Sequence, residues 1–162
     1  LIMTARHGAT EPWWHVYEPA DHERALALAS RLGVGDRAEQ AFETLSAGER
    51  RRVSIARALM PDPDLLILDE PAANLDLAAR EWLLADLAEL AAADRPLATI
   101  LVTHHLEEIP PGFGHALVLA DGQVVAVGSI QDVLRDDVLE AAFGLPLHVA
   151  SEGGRWTARL RA

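Results

Sequence analysis

The sequence predicts an α/β fold with a parallel sheet at its core, and three observations predict it. Leu65-Leu66-Ile67-Leu68 is an unbroken apolar run, Ala98 to Thr103 is a second, and Leu83, Leu84, Leu87, Leu90 and Ala91 recur at helical spacing between them, over Leu77 to Ala93. An unbroken apolar run reads as a strand buried on both faces. Strand, long helix and strand make one βαβ crossover, which sets the two strands parallel in one sheet.

The remaining elements follow in chain order. Ala25, Leu28, Ala29 and Leu32 predict a helix over Ala20 to Leu32, with Asp21 as a possible N-cap and Gly33 past its end. Before it stands Glu11-Pro12-Trp13-Trp14-His15-Val16-Tyr17, whose Trp13-Trp14-Tyr17 cluster reads as internal packing more readily than as a partner anchor. A second helix starts at Ser46, because Ser46 and Glu49 stand in capping-box spacing ahead of the stripe Val53, Ala56, Leu59 and Met60. Pro61-Asp62-Pro63-Asp64 ends it. Trp82 on the long helix and Trp156 near the tail read as core or cover. Beyond Gly112, Ala116 to Ala120 and Gln123 to Val127 flank Asp121-Gly122, a hairpin signal. A short helix over Ser129 to Leu134 follows, and the tail from Leu145 to Leu160 suits another hairpin around Glu152-Gly153-Gly154.

Composition narrows the function. The chain has 162 residues, enough for a compact core, and no Cys, which removes disulfides, cysteine-ligated zinc and thiol chemistry. A formal net charge of -11 disfavours nucleic acid as a partner, since phosphate would be repelled. All 14 basic residues are Arg, so a complete phosphate loop, G-x-x-x-x-G-K-S/T, is absent from this chain. No apolar run reaches the length of a membrane span, and no signal-peptide pattern opens the sequence.

Three segments carry candidate chemistry. Asp69-Glu70 ends the first buried strand, at the carboxyl edge where open α/β sheets bind ligands. One acid there can hold Mg²⁺ and the next can orient or deprotonate an attacking water, although both can also merely end a strand. Thr103-His104-His105 ends the second strand, and an imidazole there can donate a hydrogen bond to a transferring phosphoryl group. A metal-ligand pair is the competing reading for His104 and His105, but adjacent residues on extended chain point apart and make a poor bidentate site, and His105 reads as an ordinary surface histidine. Leu45-Ser46-Ala47-Gly48-Glu49 is explained by helix capping alone, yet the same helix start, with its small Ala-Gly pair, suits an anion.

In this order the segments resemble the ATP-binding cassette (ABC) ATPases. Leu45-Ser46-Ala47-Gly48-Glu49-Arg50 is similar to the family's signature motif, usually L-S-G-G-Q; a Walker B-like Leu65 to Glu70, a D-loop-like Ala73-Asn74-Leu75-Asp76 and a switch-like His104 follow at the family's spacing. The resemblance covers Glu43 to Leu134, and Gly33 to Phe42 fits the helical subdomain ahead of the signature. It implies a P-loop NTPase-like ABC ATPase fold with an incomplete parallel sheet, a helical subdomain and a C-terminal hairpin. The expected division is 1–60 for the helical portion, 61–134 for the ATPase core and 135–162 for the tail.

By that resemblance Asp69 would sit by Mg²⁺, Glu70 would polarise the hydrolytic water, and His104 would contact the γ-phosphate of ATP. Ser46 and Gly48, flanked by Ala47 and Glu49, would touch the γ-phosphate held by an opposite subunit. Asp76 would belong to the loop crossing the dimer interface, and a helix N-cap explains it equally well. Two departures stand in the signature: Ala47 for Gly, adding a methyl, and Glu49 for Gln, adding negative charge near an anion that Arg50, Arg51 and Arg52 offset. Neither Gln40 nor Gln123 makes a convincing Q-loop, so the sequence resembles the C-terminal portion of such an ATPase, with Walker A and Q-loop expected upstream of Leu1.

The resemblance thus implies the ATP-binding subunit of an ABC transporter, paired as a homodimer or with another ABC domain, docked on a membrane permease, cytoplasmic and peripheral at the inner face of the membrane. A soluble ABC protein acting on nucleic acid or ribosomes is a rival that the acidic balance disfavours. A truncated, non-catalytic module relying on another chain's phosphate loop is the other. Alone, this segment is expected to bind ATP weakly, and its incomplete sheet to expose apolar faces.

Overall fold

A computed structural model describes residues 1–9, 15–93 and 97–161. The chain divides into two units, Leu1–Val102 and Thr103–Ala162.

The first unit opens with a 3-10 turn, Ile2–His7, followed by helix α1, Pro19–Arg31. The N-cap of α1 is Glu18 rather than Asp21, because Pro19 lacks an N–H and its fixed φ suits the first helical position. Asp21 instead accepts a hydrogen bond from the Glu18 N–H at 3.0 Å through its Oδ2. Gly33, at φ 63°, turns the chain out of the helix as expected. The Trp13-Trp14 part of the aromatic stretch lies outside the described residues. Tyr17 is half-buried, with its ring centroid 5.5 Å from that of His7, and His7 stacks on His15 at 4.6 Å.

Helix α2, Ala47–Leu59, buries Val53, Ile55, Ala56 and Leu59, and Arg24 of α1 closes its far end by donating to the Met60 and Leu59 carbonyls at 2.9 and 3.1 Å. Strand β1, Leu65–Asp69, and strand β2, Ala98–Val102, pair in parallel with Leu65 opposite Ala98 and Asp69 opposite Val102. Between them runs α3, Leu77–Ala91, whose N-cap Asp76 accepts from the Ala79 N–H at 2.8 Å. Leu66 and Leu68 of β1 join Ile55, Leu59, Leu83 and Leu87 in the core cluster. Here are the expected helix, crossover and parallel pair.

Two further expectations fail. The strands are not buried on both faces: Leu66 and Leu68 are buried, whereas Ile67 is 61% and Ile100 49% exposed. Helices cover one side of the two-stranded sheet among the described residues, and the other side stays bare. Trp82 is neither core nor cover, being 64% exposed, because the next residues along α3, Leu83 and Leu84, take the buried side.

In the second unit, β3 (His115–Ala120) and β4 (Gln123–Ser129) form the expected hairpin. Asp121 at φ 49° and Gly122 at φ 74° give its turn two positive φ values, the type I′ signature. Helix α4, Ile130–Val133, is capped by Ser129. Strands β5 (Leu147–Glu152) and β6 (Arg155–Leu160) realise the tail hairpin around Gly153-Gly154. Helix α5, Asp136–Phe143, was not expected; eight residues carry too little periodicity to stand out. It is ended by Gly144 at φ 67°, and Asp136 is tied to β5 by the Val149 N–H at 2.7 Å, which holds the Asp136 carboxyl below its usual range. Val133, Leu134 and Leu139 form the core of this unit, with Val118, Val149 and Trp156 packed on it. Trp156 is therefore cover, as the sequence suggests.

Candidate functional site

The start of α2 is built from a reciprocal cap. Ser46 Oγ accepts from the Glu49 N–H at 3.2 Å, and Glu49 Oε2 accepts from the Ser46 N–H at 2.8 Å. Glu49 has a third partner that the sequence does not announce: Arg37 Nε donates to its Oε1 at 2.8 Å. Arg37 first, then the Ser46 backbone and hydroxyl, hold the Glu49 carboxyl down to about 2. Ser46 and Ala47 are exposed at this helix start. Gly48 is buried for a steric reason, since a Cβ on it would lie 2.8 Å from Ala79 Cβ. That contact joins the start of α2 to the first turn of α3, which Asp76 caps.

Asp69 and Glu70 stand exposed at the end of β1. The in-register pair Asp69 and Val102 sets the ends of β1 and β2 on one edge of the sheet. Glu70 adopts φ 42°, a left-handed backbone uncommon for a residue with a side chain. Two hydrogen bonds hold it there: its N–H donates to the Val102 carbonyl at 2.9 Å, and its carbonyl accepts from the Ala73 N–H at 3.1 Å. Arg51 Nη2 of α2 lies 3.5 Å from the same carbonyl. Strain of this kind gathers at functional positions. Asn74 is likewise left-handed, at φ 62°, and Asn tolerates that region. The first unit thus brings Ser46, Ala47, Gly48, Glu49 and Asp76 into one packed junction of helix starts, with the β1 end bridged to α2 by Arg51.

His104 follows β2 by two residues and belongs to the second unit. It is exposed, and its ring centroid lies 4.0 Å from that of His105, so the two rings meet rather than point apart as extended chain predicts, because both follow the end of β2 at Val102. The Thr103 hydroxyl donates to Glu108 Oε2 at 2.6 Å and accepts from the His105 N–H at 3.1 Å. Glu108 is 6% exposed. These bonds brace the backbone on both sides of His104. Nothing in the sequence pattern marks Glu108, because the adjacent acids Glu107-Glu108 read as surface.

As a ligand site this surface is open. Two concavities of about 320 and 370 Å³ lie beside α1, and none of Ser46, Asp69, Glu70 or Asp76 lines them. Among the described residues no cluster of three metal-binding side chains exists. Mg²⁺ takes one or two carboxylates plus phosphate oxygens and keeps several waters. The chain's share would be Asp69, beside Glu70. An exposed Ser hydroxyl and small residues at a helix start suit the terminal phosphate of a nucleotide.

Comparison with known proteins gives one consistent answer. The ABC transporter family model matches residues 3–73. The uncharacterized ABC transporter ATP-binding protein YlmA of Bacillus subtilis (strain 168) is 47% identical over 78% of this chain and 48% of its own length. Phosphonates import ATP-binding protein PhnC 1 of Rhodopseudomonas palustris (strain HaA2) is 36% identical over 82% of this chain and 46% of its own length. A solved ATP-binding cassette of an ABC transporter, in its ADP conformation, superposes with a TM-score of 0.71 at 25% identity, over 89% of this chain and 61% of that one. An ABC transporter in an inward-facing conformation shares the fold with a TM-score of 0.81 at 24% identity, over 99% of this chain and 63% of that one. The chain spans about half the length of the curated relatives it matches. By these relatives the chain belongs to the ABC transporter ATP-binding proteins.

Proposed function

We propose that this chain is the signature-bearing portion of the ATP-binding subunit of an ABC transporter, which in its full-length form couples ATP hydrolysis to solute movement through a separate membrane permease. The observation that carries the reading is the junction at Gly48 and Ala79, where the exposed Ser46 helix start and the Asp76-capped helix start are packed together on the unit that bears Asp69 and Glu70. In this reading Asp69 holds Mg²⁺, the Glu70 carboxylate accepts a proton from the attacking water, and His104 donates a hydrogen bond to the transferring phosphoryl group. Ser46, with Ala47, Gly48 and Glu49 around it, faces the γ-phosphate of ATP held by a second ABC domain, and Asp76 stands at that interface. Mg²⁺ would supply charge neutralisation between the phosphates. The openness of the surface supports a site completed by pairing.

The segments 1–60, 61–134 and 135–162 are assigned to the helical subdomain, the ATPase core and the tail. Among the described residues no helix is long and apolar enough to cross a membrane, which accords with a subunit that docks peripherally at the inner face on a separate permease. Absence of Lys supports one other reading, a module that borrows its phosphate loop from another chain.

The test is Glu70→Gln in the full-length ATPase. Turnover is expected to fall at least about 100-fold, the usual contribution of a general base, with ATP binding kept. Turnover at the wild-type rate refutes Glu70 as the base.

A further inference from the structure

Glu49 places a carboxylate at the helix start that the reading above turns toward a phosphate. A bare carboxylate would repel that phosphate and oppose the attraction of the helix dipole. The geometry points to Arg37 as the residue that removes this conflict: we propose that Arg37 is a positioning residue for nucleotide, which neutralises Glu49 and holds it against the Ser46 N–H so that the Ser46 hydroxyl can meet phosphate.

Arg37 is held by its surroundings. Gly33 leaves α1 with a left-handed φ of 63°, and the Val34 N–H donates to the Ala29 carbonyl at 2.8 Å. Val34 is 2% exposed and packs with Ala29, Leu45 and Val53. Gly35 sits so tightly on α1 that a Cβ there would lie 2.5 Å from Ser30 Oγ. The turn Gly35–Arg37 therefore projects from a fixed base, and the Arg37 side chain ends on Glu49 Oε1. Asp36 also faces Arg37, at 3.2 Å, and Arg50 of the same helix start donates instead to the Leu45 carbonyl. Arg37 is thus the cation that meets Glu49 directly among the described ion pairs. Glu49 spends both oxygens on Arg37 and the Ser46 N–H. Ser46 Oγ accepts from the Glu49 N–H, and its hydroxyl also bonds the Glu49 carboxylate, a bond that neutralisation by Arg37 weakens in favour of a phosphate.

The inference rests on the ATPase reading, and a charge-rescue series separates the two. In the full-length ATPase, KM for ATP, turnover and the urea midpoint are measured for wild type, Arg37→Gln, Glu49→Gln and the double variant. Arg37→Gln is expected to raise KM about threefold to tenfold, the scale of one charge at a helix end, with a smaller change in turnover. Glu49→Gln, which removes the negative charge beside the phosphate, is expected to lower KM, and in the Arg37→Gln background to bring it back toward the wild-type value. A wild-type KM in Arg37→Gln, or a double variant as impaired as Arg37→Gln, overturns the proposal and leaves the ATPase reading standing. So does a KM rise matched by an equal loss of stability that Glu49→Gln does not repair. Wild-type protein that neither binds nor hydrolyses ATP overturns both.

Discussion

Gly48 and Ala79 meet so closely that a side chain on Gly48 would place its Cβ 2.8 Å from Ala79 Cβ. Gly48 occupies the second position of α2, where exchange to Ala would ordinarily gain about 0.5–1 kcal/mol from reduced chain entropy. The neighbour here is a methyl fixed on the first turn of α3, with no flexible side chain to swing aside. Gly48→Ala is therefore expected to destabilise the protein by roughly 1–3 kcal/mol, as overpacking does, and Ala79→Gly in the same protein to recover part of the loss. Urea unfolding of the two single variants and the pair checks this. A neutral or stabilising Gly48→Ala would show that the helices are free to separate.

Acid should weaken the α2 cap late rather than early. The folded-state value of Glu49, about 2, lies below the roughly 4.3 of an unperturbed Glu, so its contribution is complete above that ordinary value and is lost as pH falls through 2. Wild type is expected to exceed Glu49→Gln in urea midpoint at pH 6, with the difference shrinking from pH 4 to pH 2. A difference that stays constant over that range contradicts the assigned pairing.

The bare side of the β1–β2 sheet predicts an asymmetry between neighbouring residues. Ile67→Thr and Ile100→Thr, both on the exposed side, are expected to reduce aggregation of this chain expressed alone and to change its stability by less than about 1 kcal/mol. Leu66→Ala, on the covered side, is expected to cost about 2–5 kcal/mol. Light scattering and urea midpoints distinguish the two sides. Equal destabilisation by Ile67→Thr and Leu66→Ala would mean that both faces are covered.

By itself the sequence determined the elements whose cause is local. Ser46 with Glu49, and Asp76 ahead of Leu77, announce their helix starts because a cap is a contact between residues three apart. Asp121-Gly122 and Gly153-Gly154 announce their hairpins because few residues accept positive φ. The order of Ser46-Ala47-Gly48, Asp69-Glu70, Asp76 and His104 was legible too, and with it the family. Only the tertiary structure decided the rest. That Gly48 is demanded by Ala79 comes from a helix crossing 31 positions away. That Arg37 neutralises Glu49 comes from a turn anchored by Val34, and that Ile67 is bare while Leu66 is buried comes from which side the helices cover. Such relationships join residues distant in the chain, and hydrophobic period or capping pattern carries no record of them because both report only on near neighbours.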